Sequence, residues 1–102
     1  MDIIVIYVTH TDMNNAQKVT DHLFNERLIA SASYHAVQSQ YVWKWSIEKG
    51  EEIVSIYKTK AQNRDRVKEG VKKVHPSPIP CILKVDTEAN HAYAYWVIEN
   101  VV

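Results

Sequence analysis

An almost unbroken run of β-branched side chains lies close to the start of the sequence, from Ile3 to Thr9. Such a run is typical of a strand that is buried on both faces. Asp12 follows, and its carboxylate can accept hydrogen bonds from the first free N–H groups of a helix. Beyond it, apolar residues recur at three- and four-residue spacing and form one stripe over about four helical turns: Ala16, Val19, Leu23, Phe24 and Leu28. This part of the chain therefore predicts a buried strand followed by an amphipathic helix.

A long second strand is predicted from Ala30 to Trp45, because β-branched and aromatic residues accumulate at its far end. We expect this strand to be bent or irregular around Ser31–Ser33. Glu48–Glu51 contains one of the two glycines of the chain and is predicted to form the turn. Ile53–Tyr57 is then the returning strand, so that the two strands make a β-hairpin.

The second half of the chain predicts a helix, a proline-rich loop, a strand and a short final helix. Ala61–Val74 is polar with valines on one side, which indicates a helix that covers one face of a sheet. Gly70 costs that helix about 1 kcal/mol relative to alanine, and close packing of its turn against the sheet would explain a glycine there. Three prolines within residues 76–80 stop the helix. Cys81–Val85 is the last core strand, and Asn90 can cap the final helix.

The resulting order is β-α-β-β-α-β with a terminal helix. This order predicts an α+β fold, the ferredoxin-like plait, in which a four-stranded antiparallel sheet carries helices on one face. We expect residues 1–102 to form a single domain of this kind. The other sheet face is left without helices, and a bare face on an uncharged chain favours association. The sequence therefore points to an oligomer.

Composition narrows the classes of function. Among 102 residues, twelve Lys and Arg balance twelve Asp and Glu, so that no net field favours nucleic acid or an acidic membrane. The single cysteine, Cys81, excludes an intramolecular disulfide framework and a zinc site built on cysteine pairs within one chain. No Gly-rich phosphate loop is present, and no apolar run approaches the ~20 residues of a membrane span. We expect no nucleic-acid partner, no membrane partner and a cytoplasmic protein.

Short motifs follow one another along the whole chain: Arg27-Leu28-Ile29-Ala30, Tyr41-Val42-Trp43-Lys44, Lys58-Thr59, His75-Pro76 with Pro80 and Ile82, and Tyr93-Ala94-Tyr95-Trp96-Val97. None is specific alone, but their joint order and spacing resemble the CutA1 family, the divalent-cation tolerance proteins. The resemblance implies a ferredoxin-like subunit in a tight homotrimer, similar in architecture to the PII signalling proteins. It also implies that Tyr41, Trp43 and Trp96 lie at or near the subunit contacts.

The resemblance further implies a non-enzymatic protein with a role in the response to divalent metal ions, copper in particular. The alternative is a PII-like signalling or scaffolding trimer that binds a small ligand or a partner protein in the clefts between subunits. This chain also departs from the family pattern. Val8 and Ser31 stand where members carry cysteine, and Trp45 stands where a glycine is usual.

Copper prefers thiolate and imidazole ligands, and the chain offers one cysteine and five histidines. His75 matches the His-Pro motif of the family and follows the predicted end of the second helix. Two interpretations of His75 stay open. It caps the carboxyl end of that helix, whose dipole stabilises a charged imidazole, or it is a ligand of copper or zinc with Cys81 as the second ligand.

Overall fold

The computed structural model describes residues 2–102, and its core is built around the first strand. The strands are β1 (Ile3–His10), β2 (Ser31–Trp43), β3 (Ser46–Lys60) and β4 (Ile82–Asp86); the helices are α1 (Met13–Asn25), α2 (Arg64–Val74) and α3 (His91–Glu99), with a 3-10 turn at Ala61–Asn63. The strands form one sheet in the order β2-β3-β1-β4, and all neighbours are antiparallel. The protein is therefore α+β, and β1 is a central strand as its composition predicted.

One face of the sheet is closed by α1 and α2. Ile4, Ile6 and Val8 point to this face and pack in one buried cluster with side chains of both helices and of β3. The other members of that cluster include Val19, Leu23, Tyr57, Val67 and Val71. Asp12 caps α1 as predicted, because its carboxylate accepts a hydrogen bond of 2.8 Å from the backbone N–H of Asn15.

The second face of the sheet carries α3, which differs from the expectation that all helices lie on one face. Ile3 points away from α1 and α2 and is buried against Ala94 and Val97 of α3. This helix covers only one end of the face. Leu83 and Val85 on β4 remain 53% and 48% exposed in the single chain. The uncovered face predicted from the element order is therefore smaller than expected, but apolar side chains remain on it.

The hairpin turn is not at Glu48–Glu51, so that prediction was wrong. Trp43 pairs with Ser46, and Lys44 and Trp45 form a two-residue turn with φ angles of 50° and 67°. Both central residues of such a turn need positive φ, for which Asn-Gly is the usual sequence. A Lys-Trp pair carries no such signal. The pairing of β2 with β3 runs one to one from Ser31↔Lys58 to the turn, so the predicted irregularity at Ser31–Ser33 is also absent.

Two smaller predictions need correction. A Cβ at Gly70 would lie 2.8 Å from Cδ2 of Leu23, so the close packing that favours glycine is against α1 and not against the sheet. Asn90 occupies the cap position of α3, but its side chain makes no capping hydrogen bond. No helix within residues 2–102 has the length and apolar character needed to cross a membrane.

Candidate functional site

Two segments beyond the end of β1 frame a groove. The pairing of β1 with β3 ends at His10↔Ile53, so the β2–β3 hairpin continues past the sheet as an arm, residues 37–52. The proline loop, residues 75–81, connects α2 to β4 on the other side. Between them lies a groove of ≈ 690 Å³. It is lined by Thr9, His10 and Thr11, by Ser39–Trp43, Glu48 and Glu52 of the arm, and by His75 and Ser77–Cys81 of the proline loop.

His10 forms the inner wall of the groove and is only 1% exposed. Its Nε2 lies 2.8 Å from Oγ of Ser55, whereas its buried Nδ1 has no hydrogen-bond partner. Its ring stacks on that of His75, with ring centres 5.3 Å apart. Burial and the neighbouring His75 lower the pKa of His10 from 6.5 to about 4, although Asp12 acts in the opposite direction. The imidazole is therefore neutral at pH 7.

His75 uses both of its ring nitrogens within the chain. Nε2 lies 2.8 Å from the carbonyl oxygen of Thr9, and Nδ1 accepts a hydrogen bond of 3.1 Å from the backbone N–H of Ser77. An acceptor at Nδ1 fixes the neutral tautomer whose Nε2–H donates to Thr9. The backbone N–H of His75 bonds to the carbonyl of Val71 and ends α2. A metal at this ring would have to replace one of the two side-chain hydrogen bonds.

Cys81 lies in the same groove, as a half-buried free thiol at the start of β4. The fold thus brings together the two residues that the sequence predicted as metal ligands. Within residues 2–102, no group of three or more His, Cys, Asp or Glu is placed to hold a metal ion. The metal role of His75 and Cys81 stays a prediction, and one chain does not supply a full set of ligands.

The three aromatic residues predicted at subunit contacts lie on two different surfaces. Tyr41 and Trp43 project from the arm and line the groove. Trp96 is on α3 and lines a separate hollow with Phe24 and Ala30. All three are exposed in the single chain. Their position at subunit contacts stays a prediction, but the groove contains two of them beside His75 and Cys81.

His10 is the residue of the groove whose importance the sequence analysis missed. A signal was present, because Ile4, Ile6, Val8 and His10 alternate along β1 and therefore point to the same face. A histidine that continues an inward-facing series must be buried, and a buried imidazole needs partners for both nitrogens. What the alternation could not reveal is that only one nitrogen finds a partner.

Comparison with known proteins identifies the family. The sequence model of the protein family "CutA1 divalent ion tolerance protein" matches residues 4–100 of this chain. The divalent-cation tolerance protein CutA of Pyrococcus horikoshii is 36% identical over 98 residues, which cover 95% of this chain and 96% of that protein. The corresponding protein of Thermococcus kodakarensis is 34% identical, with 95% and 94% covered. The crystal structure of CutA1 from Pyrococcus horikoshii superposes with a TM-score of 0.93 at 34% identity and covers 97% of this chain and 98% of that one. The chain described here therefore belongs to the CutA1 family of divalent ion tolerance proteins.

Proposed function

We propose that the chain works as a non-enzymatic, cytoplasmic homotrimer in the response to divalent metal ions, with copper or zinc as the ion. The single observation that carries this proposal is the groove, which places His75 and Cys81 beside the exposed aromatic residues of the arm. The names of the relatives, divalent-cation tolerance proteins, point to the same class of ion. The element order and the strand order β4-β1-β3-β2 support a ferredoxin-like subunit.

Assembly is supported by surfaces that a single chain leaves uncovered. Leu83 and Val85 present apolar area on the second sheet face, and Tyr41 and Trp43 do the same on the arm. Along Ser46–Glu52, β3 also has no neighbour on the side where β1 has ended. Exposed apolar patches and unpaired strand edges are the surfaces by which chains associate. Sister copies packed around a three-fold axis would cover all of them.

The metal would bind where chains meet. Thiolate and imidazole ligands suit copper and zinc, and each groove offers Cys81 and His75, with the ring of His10 buried behind them. Because no three such groups within residues 2–102 are placed to hold a metal ion, ligands from more than one copy would complete the site. Assembly and metal binding are therefore linked in this proposal.

Sedimentation velocity and calorimetric titration test the two parts separately. We expect a trimer at micromolar concentration and a smaller species for Leu83→Glu, which places a charge on the uncovered face. We expect Cu(II) or Zn(II) to bind the wild type and to bind His75→Gln and Cys81→Ser at least tenfold more weakly, with His91→Gln on exposed α3 as the control. A stable wild-type monomer rules out the assembly, and unchanged titrations of both variants rule out the site.

A second candidate is a PII-like trimer whose clefts bind a small organic ligand. The observation that favours it is the groove of ≈ 690 Å³ itself, to which the arm contributes Tyr41 and Trp43 and the proline loop contributes Pro78 and Ile79. Binding sites for small molecules are concave and lined mainly by apolar and aromatic side chains with a few polar groups. A rise in melting temperature with added ligand would support this function, because a ligand stabilises the state that it binds.

A further inference from the structure

The proline loop is tied to the rest of the chain through the ring of His75. Residues 76, 78 and 80 are prolines and have no N–H, so Ser77 and Ile79 are the only backbone donors in residues 76–80. Ser77 donates its N–H to Nδ1 of His75 at 3.1 Å, and Ile79 donates its N–H to Oγ of Ser77 at 3.2 Å. Within residues 2–102, no backbone–backbone hydrogen bond involves residues 76–80. The hydrogen bonds of these two donors therefore form one short chain that ends on the imidazole.

Side-chain packing adds little to this anchor. Residues 76–79 are all exposed, and the side chain of Ile79 is 74% exposed. Exposed segments with few buried contacts open locally at a low cost in free energy. The two ends of the loop are held more firmly, because the backbone N–H of His75 bonds to the last turn of α2 and Cys81 directly precedes β4. Loss of the Ser77 hydrogen bond would thus free the middle of the loop and leave its ends in place.

The ring of His75 is oriented as in a metal ligand. Two backbone groups fix its tautomer, because the carbonyl of Thr9 at 2.8 Å from Nε2 can only accept and the N–H of Ser77 can only donate. Metal-binding histidines usually donate one N–H to a carbonyl or carboxylate in this way and hold the metal on the other nitrogen. Stacking on the ring of His10 also holds the plane of the imidazole. Nδ1 has a single lone pair, which can accept the N–H of Ser77 or bind a metal, but not both.

We infer that Nδ1 of His75 exchanges the N–H of Ser77 for the metal ion, so that metal binding releases the middle of the proline loop. Cys81, at the other end of the loop, offers the second ligand in the same groove. The hydrogen bond from Nε2–H to Thr9 persists and keeps the ring in place. The loop then has two states, a closed one held by Ser77 and an open one in the metal-bound protein. This inference rests on the proposed metal site and names how its occupancy changes the surface of the protein.

Two substitutions at one position test the competition between Ser77 and the metal. Ser77→Pro removes the competing N–H, whereas the matched control Ser77→Ala keeps it and changes only the side chain. In calorimetric titration with Zn(II) at neutral pH, we expect Ser77→Pro to bind about fivefold more tightly than the wild type, since a hydrogen bond of this kind contributes a factor of about five. Ser77→Ala should bind as the wild type does. An affinity of Ser77→Pro equal to or below that of Ser77→Ala contradicts the competition.

Exchange of amide protons with water, measured by NMR on the wild type, gives a second readout. Zn(II) should speed the exchange of the Ser77 and Ile79 amides several-fold, because the closed loop is lost. The amide of Asn15 is the matched control, since the carboxylate of Asp12 holds it at 2.8 Å in another exposed segment, and its exchange should not change.

A long-range ¹H–¹⁵N spectrum of His75 identifies the nitrogen that binds the metal. With Zn(II) bound, we expect a large shift of Nδ1 and a proton still present on Nε2. Unchanged exchange of Ser77 in the zinc-saturated protein, or loss of the Nε2 proton, overturns the inference and leaves the proposed metal site standing. If Zn(II) does not bind at all, both the inference and the proposed metal site are wrong.

Discussion

The buried imidazole of His10 should make the stability of the protein fall as the solution becomes acidic. In the folded chain the pKa of His10 is lowered to about 4, mainly by burial and then by the adjacent His75. In the unfolded chain it returns to about 6.5. Between these two values the unfolded state binds a proton that the folded state does not. Stability therefore rises with pH in this window, and it is lost as pH falls from about 6.5 to about 4.

The size of the effect follows from the two pKa values. A difference of about 2.5 units corresponds to about 3 kcal/mol when the folded and unfolded states are compared below both values. Between roughly pH 7.5 and pH 5 only part of this is realised, and the loss attributable to His10 is about 2 kcal/mol. That is a large share of the 5–15 kcal/mol typical of whole domains. The effect should therefore be measurable by denaturation.

Urea unfolding followed by circular dichroism at several pH values measures this loss, with the protein concentration held constant so that assembly does not alter the comparison. His10→Asn removes the titrating group but keeps a polar side chain beside Ser55. The difference in unfolding free energy between wild type and His10→Asn should shrink by about 2 kcal/mol from about pH 7.5 to about pH 5. His91→Gln, an exposed histidine on α3, should leave the pH profile unchanged. A pH-independent difference between wild type and His10→Asn would refute the reasoning.

Three further substitutions test the packing and the turn. Gly70→Val should lower the unfolding free energy by about 2 kcal/mol, because the new side chain would enter the space of buried Leu23. Gly50→Val should be neutral or slightly stabilising, because nothing lies within 4 Å of its Cβ position. Equal effects of the two substitutions in thermal denaturation would contradict this. Trp45→Gly should raise the unfolding free energy by about 1 kcal/mol, because Trp45 has a φ of 67°, which glycine adopts without strain, and its side chain is 99% exposed. A loss of stability would mean that Trp45 is packed in the assembly. Asn63→Ala should lower the unfolding free energy in urea by about 2 kcal/mol, because the amide of Asn63 donates hydrogen bonds to the hydroxyl of Thr59 and to the backbone carbonyl of Val102. A change within about 0.5 kcal/mol would contradict that assignment.

The elements that local rules determine were predicted well from the sequence. Asp12 begins α1 because a carboxylate at that position satisfies a free N–H, which depends only on the next few residues. The β-branched run of Ile3–Thr9 became a central strand because a strand of that composition must be covered by neighbours. The start of α1 is thus determined by residues close to Asp12 in the sequence, and the central position of β1 is determined by the need to bury its apolar side chains. Such requirements can be recognised without knowing which distant residues meet.

The position of the hairpin turn could not be predicted in this way. The local signal favoured Glu48–Glu51, where a glycine stands among charged residues, and the structure places the turn at Lys44–Trp45 instead. Local preference opposes that choice, since non-glycine residues at positive φ are unfavourable by about 1–2 kcal/mol each. The one-to-one register of two long strands outweighs it, because every pair along β2 and β3 is fixed once the turn is placed. Tertiary pairing thus overrides the turn signal.

The groove depends directly on that register. A turn at Glu48–Glu51 would set Ile47 opposite Glu52, and Glu48 would lie in the turn rather than on a strand face. In the observed register, Tyr41 faces Glu48, and both Glu48 and Glu52 lie on one face of β3. The same register carries the arm beyond His10, where β1 ends, and so leaves room for the proline loop beside it. The sequence contained each residue of the groove, but only the correct pairing of β2 with β3 brings Tyr41 and Trp43 of the arm into one groove with His75 and Cys81.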